Sequence, residues 1–362
     1  MAENPPLPLP EASRPDPPPS PAKAYYNQRH AIAASSERLR RLREAIADPV
    51  NLSSFQWAQW FAYTRELRPD LVIELGRGNG NSTAAVNEAL RQLGPGRLVS
   101  LCLSRTWEQQ TVPRLRPLVE TDWFDSVDAR VGNLLLEDFR EIVGDARRIL
   151  VIWDAHGFEI AACVLGHILP ILAEREHFVI MHDISDLRYR DRSELVYGEQ
   201  EIWQGMERAY RGAWQGPRIC LGWVFTLVDQ AISVVDFLTR NDAELQSADH
   251  SFHTEIGGDP ERLREMERVL PKDDWSLQAD WAYFTLNTIP GAKTYPRFAR
   301  PDPARQAPAS ERWRDLAPGE TLEVRATSSL ELLRIVHRRA ARTALGWVGS
   351  PSGTSPSGRS AR

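Results

Sequence analysis

Short apolar runs alternate with helix-like segments through the middle of the chain. Strands are predicted at DLVIEL (70–75), RLVSLCL (97–103), VDARVG (127–132), RILVIWD (148–154) and HFVIMHD (177–183). Helices are predicted between them, at 82–93, 105–119, 135–143 and 159–173. Apolar strands separated by helices of roughly 10–15 residues are typical of βαβ units. The pattern therefore predicts an α/β fold with a doubly wound, mostly parallel sheet.

The flanking regions have a different pattern. Further helices are predicted at 25–47, 53–67, 198–211, 260–270 and 328–348, and a closing strand at 281–287. Both ends of the chain are rich in proline, glycine or serine, which favours disorder, and a proline-rich stretch at 295–310 predicts a linker or a surface strap. The predicted organisation is a disordered arm (1–24), a helical lead-in (25–68), the α/β domain (69–290), a linker with a helical extension (291–348) and a disordered tail (349–362).

Composition excludes several classes of protein. The 362 residues are 42% hydrophobic and 26% charged with a net charge of −5, so no basic surface predicts binding to nucleic acid or to a membrane. The start of the chain lacks an apolar signal segment, and no run approaches the roughly 20 residues of a membrane helix. Three cysteines without CxxC spacing indicate buried thiols rather than disulfides or a zinc ribbon. We expect a cytoplasmic protein, and the sequence leaves open whether it forms a homo-oligomer.

A glycine-rich loop follows the first predicted strand and opens a helix. It reads ELGRGNGNS, with Glu74 at the strand end and glycines at Gly76, Gly78 and Gly80. A dinucleotide-binding loop needs a further glycine where Asn81 stands, and a phosphate-binding P-loop needs a lysine that is missing here. Glycines at this place let a ligand approach the backbone, although a turn without a ligand would also use them.

Two polar clusters end the fourth and fifth predicted strands. Asp154 ends one and His156 follows it closely, and His182 and Asp183 end the other. The carboxyl ends of parallel strands share one edge of a sheet, so these groups are expected beside the glycine loop. Carboxylates and imidazoles placed together can bind a divalent metal ion or transfer protons, although hydrogen bonds that fix loops would also explain them.

The segment VIELGRGNGNST resembles the first motif of class I S-adenosylmethionine-dependent methyltransferases, whose fold is Rossmann-like. It looks nearest to cephalosporin-hydroxylase-like proteins and metal-dependent small-molecule O-methyltransferases. The resemblance implies that Glu74, Gly76, Gly78 and Gly80 hold the methionine part of S-adenosylmethionine. It also implies contacts with adenosine after the second and third strands, where Ser104 and Asn133 stand. The family usually carries an acidic residue after the second strand, and this chain has none before Glu108.

The resemblance also assigns roles to the polar clusters. Asp154 and the pair His182–Asp183, about 28 residues later, match the positions that bind magnesium in these enzymes. Because a histidine replaces one acid, the set favours manganese, iron or zinc, or no metal. His156 resembles the general base of related enzymes, although it follows Asp154 by two residues instead of three.

The expected function is O-methylation of a small molecule by an S-adenosylmethionine-dependent methyltransferase, with assistance from a divalent metal left open. One alternative is a degenerate methyltransferase fold that serves as a scaffold. Another is a metal-dependent hydrolase, since the His182–Asp183 dipeptide is found in helical phosphohydrolases. A helix at 177–183 would favour the hydrolase, whereas a strand favours the transferase.

Overall fold

A computed structural model gives the structure of most of the chain between residues 18 and 301. It describes residues 18–46, 52–155, 158–182, 234, 237–238, 240–243, 245–279, 281–289 and 291–301. The chain divides into two units, Met1–Ala309 and Ser310–Arg362, and the described residues belong to the first. The predicted helices at 198–211 and 328–348, the tail at 349–362 and the arm up to residue 17 lie outside the described residues.

One sheet of seven strands forms the centre of the described part, in the order β3-β2-β1-β4-β5-β7-β6. The strands are β1 (Leu71–Leu75), β2 (Arg97–Cys102), β3 (Val127–Val131), β4 (Arg148–Trp153), β5 (Glu176–Met181), β6 (Gln246–Ser247) and β7 (Ala282–Phe284). The first five pair in parallel, whereas β7 pairs antiparallel with both β5 and β6. This arrangement confirms the predicted doubly wound, mostly parallel α/β fold.

The order of the strands reverses beside β1. The chain proceeds outward from β1 to β2 and β3, and then returns to place β4 against the other side of β1. In open α/β sheets, such a reversal leaves a crevice at the carboxyl ends of the two central strands, where ligands bind. The glycine loop leaves β1 at this point.

Helices cover the sheet. They are α1 (Pro21–Asn27), α2 (Arg29–Ile46), α3 (Ser54–Leu67), α4 (Asn81–Leu93), α5 (Val112–Leu115), α6 (Phe139–Val143), α7 (Phe158–Cys163), α8 (Leu169–Leu172), α9 (Ala248–Phe252) and α10 (Pro260–Val269). Helix α1 begins inside the segment predicted to be a disordered arm. A proline at the first helical position costs no hydrogen bond, and the Ser20 hydroxyl accepts the Lys23 N–H. In the described residues, we find no helix that is both long and apolar enough to span a bilayer.

Two predicted helices are interrupted. A π-helical turn, Trp107–Thr111, precedes α5, and a second one, Val164–Ile168, separates α7 from α8. Pro113 and Pro170 lie one residue after the starts of α5 and α8. Because proline has no N–H, a regular hydrogen-bond ladder cannot run through these positions.

The two faces of the sheet pack against separate apolar clusters. On one face, Val72 belongs to a cluster shared with α1–α4, α9 and α10. On the other face, Leu71, Ile73 and Leu75 pack with α6, α7 and α8. Since side chains alternate along a strand, Glu74 points to the same face as Val72, towards α3 and α4.

Residues 291–301 lie across the second face as a strap, one of the two forms predicted for this proline-rich stretch. Asn241 holds it, donating to the Thr294 carbonyl at 3.0 Å and accepting the Thr294 N–H at 2.7 Å. The strap passes so close to Gly166 that a Cβ there would lie 2.5 Å from the Pro296 carbonyl oxygen. The absence of a side chain at Gly166 therefore permits this contact.

Candidate functional site

The glycine loop forms a tight bend between β1 and α4. Gly76, Gly78 and Gly80 all have positive φ angles, of 98°, 52° and 88°. A Cβ on Gly76 would lie 2.7 Å from the Asp154 backbone, and one on Gly80 would lie 2.2 Å from the Trp107 ring. A Cβ on Gly78 would meet no atom within 4 Å. Two glycines thus permit close packing, whereas the third leaves room beside the loop.

Glu74 supports this loop from beneath. Its side chain is fully buried and accepts hydrogen bonds from Ser82 Oγ at 2.5 Å, from Thr83 Oγ1 at 2.7 Å and from Ser100 Oγ. Hydrogen bonds of this kind offset the cost of burying a carboxylate. Glu74 therefore joins β1, β2 and the first turn of α4, and its predicted contact with a cofactor remains a prediction.

Arg77 is a second buried charge of the loop, and the sequence did not indicate it. Its side chain is fully buried and donates from Nη1 to the Ser100 carbonyl at 2.7 Å and to Ser100 Oγ at 3.1 Å. Its Nη2 lies 3.4 Å from Glu108, which is partly exposed. Because Ser100 Oγ contacts both Glu74 and Arg77, the two charges are linked through one hydroxyl.

Asn81 occupies the position at which a dinucleotide-binding loop has its third glycine. Its Oδ1 accepts the Trp57 Nε1–H at 3.0 Å, and its Nδ2 is buried without a hydrogen-bond partner among the described residues. The bond fixes the orientation of the amide. It also ties α3, outside the βαβ core, to the start of α4.

Ser104 and Asn133 lie after β2 and β3, at the edge that carries the glycine loop. Ser104 Oγ is 2.6 Å from Thr106 Oγ1 and accepts the Thr106 N–H at 3.1 Å. Asn133 Oδ1 accepts the Leu135 N–H at 3.0 Å and so caps a short 3₁₀ turn. Both residues fix local turns, and their predicted roles with adenosine remain predictions.

The ends of β4 and β5 bring Asp154 and His182 together, as the strand pattern predicted. Asp154 Oδ1 lies 3.2 Å from His182 Nδ1. The other imidazole nitrogen, Nε2, lies 3.3 Å from Nε2 of Gln56 on α3. The Trp281 ring packs against the imidazole, with ring centroids 5.0 Å apart. The other two predicted members of this cluster, His156 and Asp183, lie outside the described residues.

The predicted metal site is not assembled by the residues that the structure describes. Searched over those residues, the structure holds no group of three histidine, cysteine, aspartate or glutamate side chains arranged to hold a metal ion. Asp154 and His182 instead lie within hydrogen-bond distance of each other, and His182 Nε2 faces Gln56. The third predicted ligand, Asp183, lies outside the described residues, so the metal set remains a prediction.

No protein-family model matches the chain, and no curated protein matches it. Solved structures are similar at low identity. An O-methyltransferase from Bacillus cereus in complex with SAH is 17% identical with a TM-score of 0.33, over 52% of this chain and 81% of that one. A SAH-bound methyltransferase from Podospora anserina is 16% identical with a TM-score of 0.34, over 70% and 92%. An O-methyltransferase from Streptomyces achromogenes in complex with SAM is 18% identical with a TM-score of 0.29, over 43% and 66%. At these identities the likeness concerns the fold alone.

Proposed function

We propose that this protein transfers a methyl group from S-adenosylmethionine to an oxygen of a small molecule. The observation that supports this most is the space beside Gly78, at the reversal point of the sheet. There, a side chain would meet no protein atom, although the neighbouring glycines are in tight contact. Asp154 begins the next loop along the same edge and contacts Gly76 through its backbone. A ligand beside Gly78 would thus lie near side chains that can accept or donate a proton.

The residues of the glycine loop and of the neighbouring strand ends have distinct proposed roles. The backbone at Gly78 and the first N–H groups of α4 face the methionine part, because helix N-termini favour a carboxylate. Glu74 acts from beneath by holding the loop in shape. Ser104 and Asn133 are the proposed contacts for the ribose and the adenine at the ends of β2 and β3.

When bound, S-adenosylmethionine supplies a methyl group activated by a sulfonium. The substrate oxygen must lose its proton as it bonds to the methyl carbon, while the bond from that carbon to sulfur breaks and S-adenosylhomocysteine would leave. An imidazole, with an ordinary pKa near 6.5, suits that task. We assign it to His156, and we assign to Asp154 and His182 the placing of the substrate oxygen. Assistance by a divalent metal at Asp154, His182 and Asp183 remains a prediction, and no step is assigned to it.

The hydrolase alternative loses its main support. The hydrolase hypothesis predicts a helix at 177–183. The structure instead has strand β5 over Glu176–Met181, which pairs in parallel with β4. A parallel strand flanked by other strands is the context expected for a doubly wound sheet and not for a helical phosphohydrolase.

A calorimetric titration with S-adenosylhomocysteine tests the proposal. Wild-type protein is expected to bind it, and Gly78→Ala is expected to weaken binding at least about tenfold, because the new methyl group occupies the free space (~1.4 kcal/mol). Gly94→Ala is the matched control. Gly94 also has a positive φ, of 100°, and open surroundings, but it ends α4 at the opposite edge of the sheet. Absence of binding by the wild type at millimolar ligand would remove the proposal.

A further inference from the structure

The amide of Gln56 has a fixed orientation. Gln56 belongs to a capping box at the start of α3, in which Ser53 Oγ accepts the Gln56 N–H at 3.2 Å. In return, Gln56 Oε1 accepts the Ser53 N–H at 2.9 Å. Oxygen and nitrogen of an amide are distinguished by their hydrogen-bond partners, and only the oxygen can accept from a backbone N–H. The Nε2 group of Gln56 is therefore the end that faces His182.

This orientation determines where the proton of His182 resides. An amide nitrogen only donates, so His182 Nε2, at 3.3 Å, must offer its lone pair. In a neutral imidazole the proton then lies on Nδ1, which faces Asp154 Oδ1 at 3.2 Å. The opposite tautomer would place two lone-pair-bearing atoms, Nδ1 and the carboxylate oxygen, against each other. It would also set two N–H groups, of Gln56 and His182, face to face.

We infer that Gln56 is a positioning residue of this site, which holds His182 as the Nδ1–H tautomer and thereby fixes the Asp154 carboxylate. The residue comes from the helical lead-in, not from the βαβ units that carry the rest of the site. Gln56 acts on the reaction only through His182. Its role in methyl transfer rests on the proposed function, whereas the tautomer it selects can be measured without any cofactor.

The variant Gln56→Glu separates this role from support of the helix. A glutamate at this position retains the capping box, because its carboxylate still accepts the Ser53 N–H. Towards His182, however, it presents an acceptor instead of a donor. His182 Nε2 is then expected to bind a proton, and because Asp154 Oδ1 still faces Nδ1, the imidazole holds a proton on each nitrogen. Gln56→Leu removes the contact but leaves Asp154 facing Nδ1, so it is expected to weaken the preference for Nδ1–H without reversing it. Gln109→Glu, at an exposed residue after β2, introduces the same charge elsewhere and serves as the control.

The measurement is ¹⁵N NMR of the full-length protein labelled in its histidines, at about pH 9, where a free imidazole is neutral. The His182 signals are assigned by their loss in His182→Asn. We expect a proton on Nδ1 alone in the wild type and in Gln109→Glu, and a proton on Nε2 as well in Gln56→Glu. A wild type with the proton on Nε2, or an Nε2 that stays unprotonated in Gln56→Glu, overturns the inference. Thermal unfolding of each variant checks that the chain folds.

Kinetics connect the tautomer to the reaction. Gln56→Glu is expected to lower kcat about tenfold, the loss of roughly one hydrogen bond, while its affinity for S-adenosylhomocysteine stays within about twofold. An unchanged kcat in a Gln56→Glu protein whose His182 Nε2 is protonated overturns the positioning role. A wild type that has the Nδ1–H tautomer but binds no S-adenosylhomocysteine overturns the proposed function, and with it the role of Gln56 in methyl transfer.

Discussion

Three hydroxyl groups surround the Glu74 carboxylate where β1 passes into the glycine loop. Two of them, on Ser82 and Thr83, belong to the first turn of α4, and the third, on Ser100, belongs to β2. A buried carboxylate retains its charge at little cost only while such donors remain in place. The hydrogen bonds of Glu74 therefore help to hold the loop in shape.

Replacing Glu74 tests this dependence. Glu74→Ala is expected to lower the free energy of unfolding by about 3 kcal/mol, because three buried hydroxyl groups lose their acceptor. It is also expected to abolish binding of S-adenosylhomocysteine, since the loop loses its support. Urea denaturation and calorimetry measure the two effects. Glu44→Ala, an exposed partner of Arg40 on α2, should change neither. A Glu74→Ala protein with wild-type stability would contradict the proposal that Glu74 supports the loop.

The sequence predicted those parts of the site that depend on strand order alone. Parallel strands bring their carboxyl ends to one edge, and so Asp154 and His182 meet although 28 residues separate them. The contacts of Gln56 and Arg77 were not predicted. A capping box can be recognised from Ser53 and Gln56, but the partner of its amide is 126 residues away, on another element. Only the packing of α3 against the sheet brings the two together.

Among the secondary-structure elements, β5 joins the parallel part of the sheet to the antiparallel part. His177, at the start of β5, makes this junction. Its Nδ1 lies 2.9 Å from the Arg175 carbonyl, and its Nε2 accepts the Leu286 N–H at 3.3 Å, just after β7. The imidazole is thus held neutral as Nδ1–H, and burial lowers its pKa below the usual 6.5. The hydrophobic pattern predicted β5 and β7, but it did not predict the hydrogen bond of His177 that joins β5 to the residues after β7.

This histidine makes stability depend on pH. The unfolded chain binds a proton at His177 once the pH falls below about 6.5, whereas the folded protein resists it, so stability is lost as the pH falls. The loss ends at the lowered pKa of the folded state. Relative to His177→Gln, the wild type should lose about 1.4 kcal/mol per pH unit in this window. Urea denaturation between about pH 7.5 and 4.5 measures it, and His30→Gln, at an exposed position, is the control. Parallel curves for wild type and His177→Gln would contradict the assignment.

At the scale of the first unit, the helical lead-in is part of the same core as the sheet. Tyr25 of α1, Phe55 of α3 and Phe252 of α9 form an aromatic triad, with ring centroids 5.3–5.5 Å apart. The Tyr25 hydroxyl donates to the Asp274 carbonyl, and burial raises the pKa of this phenol. Since Gln56 and Trp57 of α3 contact His182 and Asn81, the boundary predicted at residue 68 separates elements that are in direct contact.

Replacing Tyr25 tests whether the lead-in and the sheet unfold as one. Tyr25→Ala removes a buried ring from the triad and should lower the free energy of unfolding by about 3–5 kcal/mol. Tyr25→Phe keeps the ring and loses only the hydroxyl, so its cost should be about 1 kcal/mol. Because the triad joins α1, α3 and α9, we expect both variants to unfold in one transition, seen alike by far-ultraviolet circular dichroism and by tryptophan fluorescence. If the lead-in were a separate domain, Tyr25→Ala would instead split the unfolding into two steps and leave binding of S-adenosylhomocysteine intact between them.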